Sequence, residues 1–244
     1  MLEYFKGKLR SHDRLYSAAY KTYHTIRCGG KNPLQRDLNK AMKKKEHGFF
    51  IQIGSNDGVK DDPLRGALIE NRSWSGIFVE PVPQYFEKLQ KNYDYSKRYQ
   101  YANCAVGRRN ERRALYYVSD NARQLGDRLP DWYDLISFFD RDHLVKHADG
   151  ILELFIEDIS VEVVTLDTLK RNFRINEYDL ILIDAEGHDW DTFCQFDFLE
   201  CKPRIAILEH KHITDRNIIQ IKESLDLHGH AYSTCGANIM ATLK

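Results

Sequence analysis

Phe49-Phe50-Ile51-Gln52-Ile53 runs straight into Gly54-Ser55-Asn56-Asp57-Gly58, and the reading of this junction decides the fold. A short apolar run that enters a glycine turn is the pattern of a buried parallel strand. The glycines let the backbone turn sharply and approach a ligand closely. Helical sequence follows through Leu64, Ala67 and Leu68, then a second apolar run, Gly76-Ile77-Phe78-Val79. A helix is predicted over 83–93 with Tyr85, Phe86 and Leu89 inward, and a third strand near 99–105. Strands alternating with helices at this spacing imply a parallel sheet with right-handed crossovers.

The second half repeats the theme. Tyr178–Asp184 (YDLILID) and Arg204–Glu209 (RIAILE) read as buried strands, and a helix around 214–227 leads to closing strands near 231–234 and 238–243. Ala114–Val118 and Val161–Val164 read as extra strands. Between them, 120–159 is long, aromatic and weakly periodic, the character of a lid that packs through Trp132, Tyr133, Phe138 and Phe139. Upstream, Leu15, Ala18, Ala19, Tyr23 and Ile26 recur at helical spacing until Cys28-Gly29-Gly30 and Asn32-Pro33 stop them; a second short helix covers Leu34–Met42. The expected organisation is a basic helical arm over 1–45 and one α/β domain over 46–244, with the insertion at about 120–159.

Charge and composition narrow the class. The 244 residues balance 36 Lys/Arg against 36 Asp/Glu, which argues against a nucleic-acid partner. Within that balance, residues 1–45 carry twelve Lys/Arg against three Asp/Glu, a net +9. Such an arm suits an acidic neighbour: a peripheral membrane contact, a phosphate-bearing acceptor or the acidic body of the same chain. No stretch approaches the roughly 18 apolar residues of a membrane span. The N-terminus has no signal-peptide core. Five cysteines without a CxxC pair fit reduced thiols. The expectation is a cytoplasmic protein with a small-molecule or glycan partner, in which apolar surface on the N-terminal helices suits a homo-oligomer.

The glycine turn and the acid beyond it suggest the ligand. Glu80 closes strand two, 26 residues after Gly54, and Pro81 follows. A carboxylate at that tip suits both hydroxyls of a ribose. The dinucleotide pattern G-x-G-x-x-G is absent, and Asp57 within the turn would repel a pyrophosphate. A carboxylate there favours a ligand with a cationic part, so S-adenosylmethionine is preferred to NAD. The rival readings are an NAD-dependent oxidoreductase or epimerase and a non-catalytic adenosine-binding domain.

A second constellation lies at the same edge of the sheet. Asp184-Ala185-Glu186-Gly187-His188-Asp189 leaves the fourth strand, and Glu209-His210-Lys211-His212 leaves the fifth. Transfer to a hydroxyl needs a base, and a carboxylate–imidazole pair drawn from Asp184, Glu186, His188 and His210 would supply one, with Glu209 close by. A metal is the competing chemistry. Asp184, Glu209 and His210 would be its ligands and magnesium its candidate, although no spaced ligand motif demands one. His143 and His147, four apart, read as one face of a lid helix.

The strings FIQIGSNDGVKDDPL, GIFVEPVPQYFEKL, NCAVG, VVTLDTL, LILIDAEGHDWD and IAILEHKHI occur in that order from Phe49 onward. Together they resemble the blocks of the FkbM family of S-adenosylmethionine-dependent methyltransferases. The resemblance implies a Rossmann-like class I methyltransferase fold, with a seven-stranded sheet whose last strand is antiparallel. It also implies O-methylation of a sugar or a related polar metabolite. By position, Gly54, Ser55, Asn56, Asp57 and Gly58 would contact the methionyl part and Glu80 with Pro81 the ribose. Asn103, Cys104 and Ala105 would lie near the adenine.

Overall fold

A computed structural model describes residues 33–93, 96–130, 132–147 and 150–244. The first arm helix expected over 15–26 lies outside them.

Helix α1 (Pro33–Met42) precedes β1 (Phe49–Ile53), α2 (Pro63–Glu70), β2 (Ser75–Val79), α3 (Pro83–Tyr93) and β3 (Tyr99–Ala102). The strands β4 (Ala105–Val106), β5 (Glu111–Val118), β6 (Ser137–Phe138) and β7 (Ile156–Val164) follow, with helix α4 (Arg141–His147) between the last two. The chain closes through α5 (Leu166–Phe173), β8 (Leu180–Ile183), α6 (Asp189–Phe193), β9 (Ile205–Glu209), α7 (Asp215–Leu227), β10 (His230–Cys235) and β11 (Asn238–Leu243).

One sheet has seven strands in the order β3-β2-β1-β8-β9-β11-β10. The central pairs are parallel, with Phe50 opposite Leu180 and Ile53 opposite Ile183, and β11 runs antiparallel to both neighbours. Alternate residues feed two cores. Ile51, Ile53, Ile77, Ile181, Ile183 and Leu208 meet α5 and α7 on one face. Phe50, Phe78, Leu180, Leu182 and Ile207 meet α1, α2 and α3 on the other. Burial on both faces explains why these strands read as unbroken apolar runs. Helix starts are set locally: Asp62 accepts from the Leu64 amide (2.8 Å) with Pro63 at the first helical position, and Thr165 accepts from Thr168 N (3.2 Å).

Three expectations need adjusting. Residues 33–42 are not part of a free arm, because Leu34, Leu38 and Met42 are buried in the second core. The predicted strand at 99–105 divides: β3 ends at Ala102, and β4 joins a separate four-stranded sheet, β4-β7-β5-β6. The extra strands are longer than predicted, since β5 and β7 pair from Glu111–Val163 to Val118–Ile156. What remains of the lid has a core of its own, built on Val118, Ala122, Tyr133, Ile136, Phe138 and Leu144.

Candidate active site

The carboxyl ends of β1, β2, β8 and β9 and the inner side of the lid enclose a cavity of about 330 Å³. That volume lies within the range of small-molecule sites.

The glycine turn is held by its own chain. Gly54 N and Ser55 N donate to the Val79 carbonyl at 3.0 and 3.1 Å, and the Ser55 hydroxyl bridges Gln52 O and Val79 N. Gly54 has φ +77, and a Cβ there would stand 1.6 Å from the Asp184 carbonyl oxygen. Only glycine lets the tips of β1 and β8 come this close. Asp57 is not in the cavity wall: its Oδ1 accepts from the amides of Val59 (2.8 Å) and Lys60 (3.0 Å), closing a local turn. Gly58 is also outside the wall and packs on Leu89 and Tyr93. Gly54, Ser55 and Asn56 line it.

Glu80 lines the wall and is almost fully buried. Its Oε2 accepts from Asn56 N and its Oε1 from Val82 N, both at 2.8 Å, which leaves lone pairs for a ligand. Burial pushes its carboxyl up to about 7. Pro81, Cys104 and Ala105 continue the wall. Asn103 instead donates from Nδ2 to the carbonyls of Glu80 and Pro81, fastening the tips of β2 and β3 together.

Two groups that the sequence reading missed complete this end. Gln52 is buried to 2% exposure and lines the cavity, and its Oε1 has no hydrogen-bond partner among the described residues. Asp62 beside it is pushed up to about 6 by burial. The sequence did carry a signal: a polar residue inside the apolar strand FFIQI must answer to something.

On the opposite side Asp184, Glu186, His188, Glu209 and Lys211 line the cavity. Asp189 is structural, since Oδ1 accepts from Ala185 N (2.7 Å) and Oδ2 from Gly187 N (3.0 Å). This ties down a loop in which Glu186 and Gly187 both have positive φ, +45 and +92. Burial, Glu209 and Glu186 hold the Asp184 carboxyl well above the usual range. Burial and Glu186 likewise push Glu209 up to about 7. His188 is shifted the other way, down, by burial and then by the Arg113 charge. Its Nδ1 lies 3.9 Å from Asp191 Oδ2, and Asp191 accepts from Arg108 at 2.7 Å.

His210 does not line the cavity; its backbone amide is bonded to Ala237 O and its Nε2 is buried without a partner among the described residues. The metal set expected from sequence is accordingly rearranged. Glu186, Glu209 and His212 bring ligand atoms within 4.8 Å of one another, the only such group among the described residues. Side chains alternate along an extended chain, so His210 leaves β9 on the face opposite Glu209. The turn closed by Ile213 N to His210 O then returns His212, whose Nε2 lies 3.4 Å from Glu186 Oε2. Glu186 holds the His212 imidazole above its ordinary value.

The lid closes the cavity with Trp132, Leu135, Ile136, Ser137 and Phe139. Asn56 Nδ2 donates to the Asp134 carbonyl (2.8 Å), and Lys60 pairs with the Asp134 carboxylate (2.5 Å). His143, on α4, packs its ring 5.0 Å from that of His212, which joins the lid to the turn after β9.

A doubly wound sheet of this strand order, with a glycine turn, a strand-two acid and a cavity at its carboxyl edge, defines a Rossmann-like enzyme of the methyltransferase class. The chain belongs to the FkbM family of S-adenosylmethionine-dependent methyltransferases: the family described as Methyltransferase FkbM domain matches residues 52–233. No curated protein matches it. Among solved structures it is similar to precorrin-6y C5,15-methyltransferase from Geobacter metallireducens GS-15, with 10% identity and a TM-score of 0.42 over 86% of this chain and 87% of that one. It is similar at the same TM-score to the fibrillarin/Nop5p complex, with 9% identity over 88% of this chain and 84% of that one. At those values the assignment rests on the family match and on the topology. No helix among the described residues is long and apolar enough to cross a membrane.

Proposed function

We propose that the cavity binds S-adenosylmethionine along the tips of β1 and β2 and methylates a hydroxyl of a carbohydrate or related polar metabolite held at the tips of β8 and β9. The observation that carries this reading is the cluster of buried acceptors at the tips of β1, β2 and β8, where the lining Lys60 is already paired with Asp134. Gln52 Oε1, Asp62, Glu80 and Asp184 offer acceptors, and carboxyls that a bound cation would ionise, in a buried setting. Such a wall asks for hydroxyls and a cation, which a ribose and a methionyl ammonium beside a sulfonium provide. It disfavours the pyrophosphate of NAD.

In this reading Glu80 receives the ribose hydroxyls, and Pro81, Cys104 and Ala105 flank the base. Gln52, Asp62 and Asp184 receive the ammonium. Asp57 acts only through the shape of the turn. The donor supplies an electrophilic methyl group, and the protein's tasks are alignment and proton removal.

His188 is the base. Burial and the Arg113 and Arg108 charges keep its imidazole neutral near pH 7, ready to accept the hydroxyl proton on a ring nitrogen. Asp191 Oδ2, 3.9 Å from Nδ1, is an acidic neighbour for the imidazolium that proton removal creates. Glu186 orients the acceptor hydroxyl, and the closed lid excludes water.

The test is calorimetric titration of the full chain with S-adenosylmethionine, S-adenosylhomocysteine and NAD, followed by a methyl-transfer screen over sugars and polyols. Binding of the first two, weakened by E80A, supports the reading, as does a 10²–10⁴-fold loss of turnover in H188A at unchanged donor affinity. Binding of NAD alone would overturn it.

A further inference from the structure

The mouth of the cavity carries a charge that the methyl-transfer reading uses only through its effect on His188. On β5, Arg113 lies two residues before Leu115 and so shares its face, and Leu115 lines the cavity. The Arg113 guanidinium stands over the Phe139 ring, 4.5 Å from its centroid. Phe139 is itself in the cavity wall, and its ring meets that of His188 at 4.9 Å, edge to face. Arg113, Phe139 and His188 thus form one continuous shelf from solvent to the site of proton removal.

The arginines around this shelf have partners. Arg108 is paired with Asp191 (2.7 Å), Arg109 with Glu111 (2.8 Å), and Arg112 donates to the Ser160 carbonyl (3.0 Å). Arg113 has no carboxylate partner among the described residues; its contacts are the Phe139 ring and the repulsion it exerts on a protonated His188. A guanidinium held against an aromatic ring gives up part of its conformational freedom in advance. It keeps five N–H donors suited to an oxyanion.

We propose that Arg113, positioned by Phe139, selects acceptors that carry a carboxylate or phosphate group next to the hydroxyl to be methylated. This deepens the acceptor side of the proposed function and rests on it. The residue acts on specificity: it contacts the anionic group of the acceptor, and its only influence on the transfer is its charge beside His188.

The proposal is tested on the full chain saturated with S-adenosylhomocysteine, by titrating glucose, glucuronate and glucose 6-phosphate as probes. In the unaltered protein at least one charged probe should bind about tenfold more tightly than glucose, the scale of one charge-assisted contact at a half-open site. R113A should abolish that preference and R113K should keep part of it, with S-adenosylhomocysteine affinity unchanged in both. Which of the two charged probes gains more distinguishes carboxylate from phosphate recognition. R112A removes the same charge from the opposite face of β5 and should leave the preference intact. Equal binding of all three probes, no binding of any, or a preference that survives R113A or falls equally in R112A overturns the proposal. Failure of S-adenosylhomocysteine to bind strikes instead at the methyltransferase reading of the cavity.

Discussion

Gly54 and Glu80 show how single residues shape the donor end of the site. Gly54 is required twice over, by its φ of +77 and by the Asp184 carbonyl 1.6 Å from where a Cβ would stand. Alanine would incur both left-handed strain and a backbone clash, together about 3 kcal/mol. G54A should therefore lower the urea midpoint substantially and abolish donor binding; a variant of normal stability and affinity would show that the two strand tips do not touch. Glu80 makes a prediction in pH. Its carboxyl is raised from the ordinary 4.5 to about 7 by burial, so the folded state favours the protonated form. Its stabilising share is full below pH 4.5 and is lost as pH rises through about 7. E80Q holds the neutral form permanently, so its thermal midpoint should fall less between pH 5 and 8 than that of the unaltered protein. Parallel curves would mean that Glu80 does not titrate in this window.

At the scale of elements, the lid is latched to the glycine turn and not merely laid over it. Asp134 receives Asn56 through its carbonyl and Lys60 through its carboxylate. The lid also keeps its own apolar cluster, separate from the two cores of the large sheet. These facts separate closure from folding. D134A removes a partly exposed ion pair of about 0.5–1 kcal/mol. It should speed amide exchange over 132–139 and weaken donor binding about two- to fivefold, with little change in the thermal midpoint. A large loss of stability would instead make the lid part of the main cooperative unit.

For the molecule as a whole, the relevant quantity is how its charge answers the ligand. Asp184, Glu209, Glu80 and Asp62 are all raised by burial, and the first two also repel one another. A sulfonium and an ammonium entering this wall favour the ionised carboxylates, so protons must leave as the donor binds. Calorimetry at pH 7 in buffers of different ionisation enthalpy should report net proton release for S-adenosylmethionine. Release should be smaller for S-adenosylhomocysteine, which lacks the sulfonium charge, and smaller again in E209Q. Proton uptake would contradict this electrostatic account of the cavity.

The order of strands and helices, the two-faced sheet and the glycine turn were legible in the sequence because they rest on local patterns. Apolar runs such as Phe49–Ile53 and Leu180–Ile183 announce burial on both faces, and Gly54 announces a backbone that must turn. The family blocks carried the activity for the same reason, as short strings at strand tips. Tertiary structure alone decided which polar groups converge. Asp57 reads like a ligand contact and yet caps its own turn, because an aspartate finds neighbouring amides more cheaply than a distant partner. His212, not His210, joins Glu186 and Glu209, because strand alternation and the turn after β9 settle the direction of each side chain. The placing of 33–42 in the core, the docking of Asp134 on Asn56 and the stacking of Arg113 on Phe139 join segments far apart in the chain. Periodicity is a property of neighbours in sequence, and contacts of this kind leave no trace in it.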